Sequence, residues 1–175
     1  ANPLAAGGVY VLELSSYQLD LTHSLQCEVA ALLNITPDHL DRYDGFTGYA
    51  ASKARLFAMQ RPDQFAIFGT SDAKTQGVAA HEAKLREAWR VRSVDGKDLI
   101  KLQPDWPSLQ GPHNLQNAAV AVAIAEALGL TFVANPVIGG AMTPENVATQ
   151  RAAIETATGP VFAYCASGNR SSVVW

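Results

Sequence analysis

The chain has 175 residues, of which 48% are hydrophobic and only 17% charged. That is enough apolar side chain to bury a core and too little charge for a disordered segment. Thirteen Lys and Arg against sixteen Asp and Glu leave a formal net charge of −3, which argues against a nucleic-acid footprint, and no apolar run reaches the length of a membrane helix. The two cysteines, Cys27 and Cys165, do not make a disulfide framework, so a reducing cytoplasm is the expected compartment. The chain opens without Met and stops at Trp175 inside an apolar run, which reads as a piece of something longer.

In chain order, residues 9–14 (VYVLEL) and 28–35 (EVAALLNI) read as buried strands. Apolar residues at helical spacing, Phe46, Tyr49, Ala50, Leu56 and Phe57, predict a helix over 46–60, closed by Arg61-Pro62-Asp63. Residues 64–68 predict a third strand, and a polar helix follows over 72–88. Residues 89–103 alternate on either side of Asp95-Gly96 and predict a hairpin with a type I′ turn. Residues 114–128 predict a helix capped by Asn114 or the residue before it and stopped by Gly129. Residues 131–137 return to strand. Thr143-Pro144 then predicts the start of a helix over 144–158, and 161–164 form a last strand. Strands alternating with helices predict an α/β fold: a mostly parallel sheet flanked by helices in three layers, with a small hairpin.

Polar residues gather where such folds place chemistry, at and beyond the carboxyl ends of strands. Glu13 closes the first predicted strand, Asp38 and His39 follow the second, and Lys53 lies in the next helix. A carboxylate and an imidazole suit a divalent cation, and a lysine can contact phosphate. Alone, each residue has an ordinary reading, as a solvated rim or a packed ring. Four stretches, LELSSYQL (12–19), NITPDHLDRY (34–43), ASKARLF (51–57) and GPHNLQNAAVA (111–121), stand in this order. Together they resemble the central ATPase domain of the Mur ligases, over roughly residues 1–129.

The resemblance implies an ATP-driven amide ligase of peptidoglycan synthesis, with Mg and ATP as cofactors and a nucleotide or small phosphorylated substrate as partner. It implies that Glu13 and His39 bind Mg²⁺, that Lys53 is a catalytic lysine of the kind that becomes carbamoylated, and that Asn114 and Asn117 lie near the nucleotide. The 175 residues contain no G-x-x-x-x-G-K-[ST] phosphate loop. The nearest run is 69–75, where Ala73 stands in place of the required glycine.

A second resemblance begins near residue 130. PVIGGAMTPENVA (136–148) and GPVFAYCASGNRS (159–171) are similar to the phosphatase-like domain of beta-lactamase-hydrolase-like proteins. It implies Cys165 as nucleophile and Arg170 as oxyanion ligand. A thiol at a strand end can ionise against loop amides, and an arginine can pair with phosphate. The expected organisation is therefore a partial ligase domain (1–129) and a partial phosphatase-like segment (130–175) packed as one domain, a chimera or fragment. Three functions are open: an inactive ligase remnant, a cysteine-dependent phosphatase-like hydrolase, or a folded chimera with no catalytic function.

Overall fold

The computed structural model describes residues 10–106, 109–133, 135 and 141–158. They fall into two compact units, one of residues 14–104 and 109–132, the other, in its described part, of 10–13, 105–106, 133, 135 and 141–158.

In the larger unit the elements run α1 (Ser16–Asp20), β1 (Val29–Leu32), α2 (Gly45–Ala58), β2 (Phe65–Gly69), α3 (Ala73–Glu82), β3 (Val91–Val94) and α4 (Pro112–Ala127). The three strands form one parallel sheet in the order β1-β2-β3, with Ala31 opposite Ile67 and Ile67 opposite Arg92. Side chains alternate between faces along each strand. Ala30, Leu32, Ala66 and Phe68 point to one face, where Tyr49, Ala50 and Phe57 of α2 and Ala79 of α3 cover them. Val29, Ala31, Ile67 and Val94 point to the other, under Val120, Ala123, Ile124 and Ala127 of α4. Helices therefore sandwich the sheet, and the predicted three-layer α/β architecture is present. Both faces of β1 and β2 are covered, which explains why their sequences read as continuous apolar runs. At the centre Phe57 and Phe68 stack with ring centroids 4.6 Å apart. Full burial of one such side chain stabilises by about 1.5–3 kcal/mol.

Four expectations need correction. Residues 10–14 are irregular backbone, with Tyr10, Val11 and Leu12 exposed. An apolar, β-branched run becomes a strand only where an edge supplies its hydrogen bonds. Residues 131–133 and 135 are likewise irregular. The hairpin at 89–103 is absent. A type I′ turn needs positive φ at both central residues, whereas Asp95 has φ −106° and ψ 130°. Its side chain accepts from the Lys97 N–H and caps a 3-10 turn over Gly96–Leu99, while β3 pairs in parallel with β2. Finally, α4 is capped not by Asn114 or His113 but by Gly111 at φ 88°, with Pro112 in the first turn. A left-handed residue is least strained as glycine, and proline fits a first turn whose N–H needs no partner.

α1 is an element the periodicity did not predict. Ser15 and Gln18 close a capping box, the Ser15 side chain accepting from the Gln18 N–H and the Gln18 side chain from the Ser15 N–H. α3 is shorter than predicted, ending at Glu82.

In the smaller unit, α5 (Pro144–Thr156) starts as predicted, with Thr143 as N-cap in a capping box with Asn146. Asn135 Nδ2 donates to the Asn146 carbonyl at 2.9 Å, and Asn146 Nδ2 returns a bond to Asn135 Oδ1 at 3.0 Å. The predicted strand at 161–164 lies outside the described residues. No helix among the described residues is long and apolar enough to cross a membrane.

Candidate functional site

Beyond β1 the chain is pinned before it reaches its polar residues. Ile35 is buried, and its N–H donates to Asp72 Oδ2 at 3.0 Å. His39 follows at φ 50°, a left-handed conformation uncommon for a residue with a side chain. Its Nε2 lies 3.5 Å from Asp38 Oδ2. The imidazole packs between two tyrosines, 5.0 Å from the Tyr17 ring of α1 and 6.4 Å from the Tyr49 ring of α2. Lys53 stands one turn after Tyr49 on the same helix face, its Nζ 5.2 Å from that ring's centroid. The Arg42 guanidinium covers Tyr17 at 4.2 Å. The structure thus gathers His39 and Lys53 around Tyr49, in an aromatic row flanked by cations.

Asp20 holds this row from below. It accepts from Ser52 Oγ at 2.6 Å and Tyr43 Oη at 2.8 Å, and Arg42 Nη2 lies 3.7 Å away. The Ser52 hydrogen bond, with help from Tyr43, Arg42 and Arg55 and against the effect of burial, keeps its carboxyl below the usual aspartate range.

The other predicted site residues are placed differently. Glu13 is exposed on irregular backbone and belongs to the smaller unit. Asn114 sits in the first turn of α4, and its Nδ2 donates to the Gln110 carbonyl at 2.9 Å. Asn117 is exposed three residues further on. Between them Gln116, which the sequence reading passed over, is buried: its Oε1 accepts from the Gly96 N–H at 3.2 Å and its Nε2 donates to the Val94 carbonyl at 2.9 Å. The available signal was its register with Val120, Ala123 and Ala127, a polar residue in an apolar stripe. Cys165 and Arg170 lie outside the described residues.

The fit to a metal can be judged from the donors. Among the described residues no three His, Cys, Asp or Glu side chains converge. Among the described residues His39 pairs with Asp38, and the Lys53 ammonium stands across Tyr49. The described residues do not form a protein cage for Mg²⁺.

The run that most resembles a phosphate loop is also accounted for. Asp72 caps α3, its Oδ1 accepting from the Thr75 N–H at 2.8 Å and its Oδ2 from the Thr75 hydroxyl at 2.7 Å. The chain's own carboxylate fills the helix terminus where an external anion would sit. Burial pushes the Asp72 pKa up, but the bonds from Thr75 and Ile35 outweigh it and hold the carboxyl below its ordinary value.

Both depressed carboxyls make the same pH prediction. A depressed pKa contributes stability that is complete above the unfolded value, about 4, and is lost as pH falls through the folded value. The melting temperature should change little from neutrality to about pH 5 and then fall. Asp72→Asn, which removes the charge and leaves an oxygen for the Thr75 cap but sets its NH2 against the Ile35 N–H, should lower the melting temperature at neutral pH and shrink that acid loss. Melting curves against pH for the two proteins check this.

This α/β unit, with its residues beyond β1 and its H-N-x-x-N turn opening α4, belongs to the Mur ligase family: residues 4–125 match the Mur ligase middle domain. Residues 95–175 match a second family model, the phosphatase-like domain of beta-lactamase hydrolase-like proteins, and the two matches overlap over 95–125. Among curated proteins the chain is similar to UDP-N-acetylmuramoylalanine--D-glutamate ligases. It is 63% identical over 129 residues to that of Novosphingobium aromaticivorans, covering 74% of this chain and 29% of the relative. The ligase of Sphingopyxis alaskensis is 56% identical over 130 residues, with 74% and 29% covered. That of Zymomonas mobilis is 49% identical over 131 residues, with 75% and 29% covered. The chain therefore spans about three-tenths of the length of these relatives.

Proposed function

We propose that this chain is a remnant of a UDP-N-acetylmuramoylalanine--D-glutamate ligase that by itself neither turns over ATP nor forms an amide. The observation that carries the reading is the absence from its 175 residues of a glycine-rich phosphate loop, together with the occupation of the α3 terminus by Asp72. Catalysis of phosphoryl transfer is almost entirely positioning and electrostatic stabilisation, so a chain without its phosphate cradle loses several orders of magnitude of rate. In the parent enzyme Glu13 and His39 would hold the magnesium ion, Lys53, carbamoylated, would stand within reach of it as an oxygen donor, and Asn114 and Asn117 would lie near the nucleotide. The ligase part ends near residue 129 and the phosphatase-like part fills 130–175, in a chain that acts in the cytoplasm. Incubation with Mg-ATP should give no phosphate release above buffer. Mg-dependent turnover that disappears in Glu13→Ala would overturn the reading.

The match over 95–175 favours a second reading, a thiol phosphatase. The Cys165 thiolate would attack phosphorus and expel the alcohol, and water would then release phosphate and restore the thiolate. Hydrolysis of p-nitrophenyl phosphate that vanishes in Cys165→Ser would establish it. Cys27 supplies the internal reference, since burial first and the Glu28 charge second push its thiol up. If iodoacetamide labels Cys27 before Cys165, this second reading loses its chemical support.

A further inference from the structure

The end of the sheet opposite His39 carries an arginine that the site above does not use. Arg90 precedes β3, beside Phe65 at the start of β2. Its guanidinium carbon lies 3.6 Å from the Trp89 ring centroid and 4.6 Å from that of Phe65. The two rings meet edge to face at 5.6 Å. Stacking of this kind holds a guanidinium in one orientation while leaving its in-plane donors available.

Among the described residues those donors find no acceptor. The Arg90 Nε–H is buried without an acceptor, and the guanidinium makes no hydrogen bond or ion pair with any described residue. Only Nε is both buried and unsatisfied, so the terminal nitrogens reach solvent. Two carboxylates of the neighbourhood make their side-chain hydrogen bonds elsewhere, although the Arg61 hydrogen bond first, and the charges of Arg61 and Arg90 after it, lower the Asp63 carboxyl. Asp63 accepts from Arg61 Nε at 3.1 Å and Nη2 at 3.4 Å, and Glu87 accepts the Trp89 indole N–H at 2.6 Å. Trp89 itself remains 55% exposed.

We propose that Trp89, Arg90 and Phe65 form a binding site for a monocarboxylate with an apolar substituent. The terminal nitrogens of Arg90 take the carboxylate in the guanidinium plane, and the substituent lies on the Trp89 ring. A planar two-oxygen anion matches the fork of donors. A monoanion fits better than a dianionic phosphate because Asp63 and Glu87 already bring negative charge to this corner. Exposed tryptophan beside arginine is also the composition of residues that dominate recognition surfaces. The site does not depend on the ligase reading, since it uses none of that reading's residues.

The test is a titration of the ¹⁵N-labelled full chain with N-acetyl-leucine, with N-acetyl-leucinamide as the uncharged isostere and with acetate and inorganic phosphate as further arms. The Trp89 indole signal is assigned by its loss in Trp89→Phe. The Trp89 Nε1–H and Arg90 Nε–H signals should move saturably with N-acetyl-leucine and not with the amide. Acetate should bind more weakly than N-acetyl-leucine, and phosphate more weakly still. Arg90→Lys, which keeps the charge but loses the fork, should weaken binding about tenfold or more while the far-ultraviolet circular dichroism stays unchanged. Equal shifts with the amide or with phosphate, binding unaltered in Arg90→Lys, or no saturable movement by about 100 mM, far above a millimolar dissociation constant, would overturn the proposal. Should Arg90→Lys lose its fold, the amide and phosphate arms decide on the unmodified chain.

Discussion

Glu82→Ala is expected to destabilise the chain by about 3–5 kcal/mol, the cost of leaving one member of a buried ion pair uncompensated. The side chains of Arg86 and Glu82 are only 3% and 7% exposed, with Arg86 Nη2 2.8 Å from Glu82 Oε2. Arg86 also donates from Nη1 to the Arg61 carbonyl at 2.6 Å and from Nη2 to the Phe57 carbonyl at 3.1 Å. Phe57 lies in the last turn of α2, and its carbonyl, which accepts from the Gln60 N–H at 3.1 Å, takes a second bond from this side chain beyond α3. In Glu82→Ala the guanidinium keeps those two carbonyls and loses its counter-charge. Glu82→Leu combined with Arg86→Met removes both charges and fills the space, and should recover most of the loss. Urea unfolding midpoints of the single and double variants measure the difference. A Glu82→Ala midpoint equal to that of the unmodified chain would show that the pair is solvated.

Gly96→Ala should cost about 3 kcal/mol, at the upper end of what overpacking does. A Cβ at residue 96 would come within 2.6 Å of the Gln116 nitrogen and 2.9 Å of the Leu115 carbonyl carbon, both backbone atoms of α4. Backbone cannot swing aside as a flexible side chain can, so the helix itself must move off the turn that follows β3. That shift would also lengthen the bond from the Gly96 N–H to Gln116 Oε1. Gly77→Ala is the matching control. It lies inside α3 with nothing within 4 Å of an added Cβ, and should gain up to about 1 kcal/mol from helix propensity. The two glycines should therefore shift the unfolding midpoint in opposite directions.

The sequence reading succeeded where local rules and tertiary burial agree. α2, α4 and α5 carry helical spacing together with glycine or proline punctuation at their ends, and β1 and β2 are apolar because both their faces are covered. It failed where a long-range partner decides. Residues 10–14 have the composition of a strand, but composition does not supply an edge. Asp95-Gly96 has a hairpin signature, yet Gly96 is required because α4 passes against it, a contact made with residues about 20 positions away. α1 is too short for periodicity to register, although Ser15 and Gln18 announced its cap.

At the site, His39 and Lys53 were legible together because their surrounding stretches belong to one family. The geometry that joins them was not, since it runs through the Tyr17 and Tyr49 rings. Arg90 was invisible for the opposite reason. Nothing in the local sequence says that Phe65, 25 positions earlier, will stack on it.

The side of the sheet on which α4 lies bears on where the chain can go next. α2 and α3 share one face, as a single crossover hand requires while the strand order advances from β1 to β3. α4 leaves β3 across the opposite face and runs back over β1. With the same hand, a further parallel strand after α4 can join only beside β1. β1 would then stand where the order of strands reverses, and in open α/β sheets the ligand crevice lies outside the carboxyl ends of the strands at that reversal. The chain that leaves this end of β1 is the one that Asp72 fastens at Ile35 and that leads to His39.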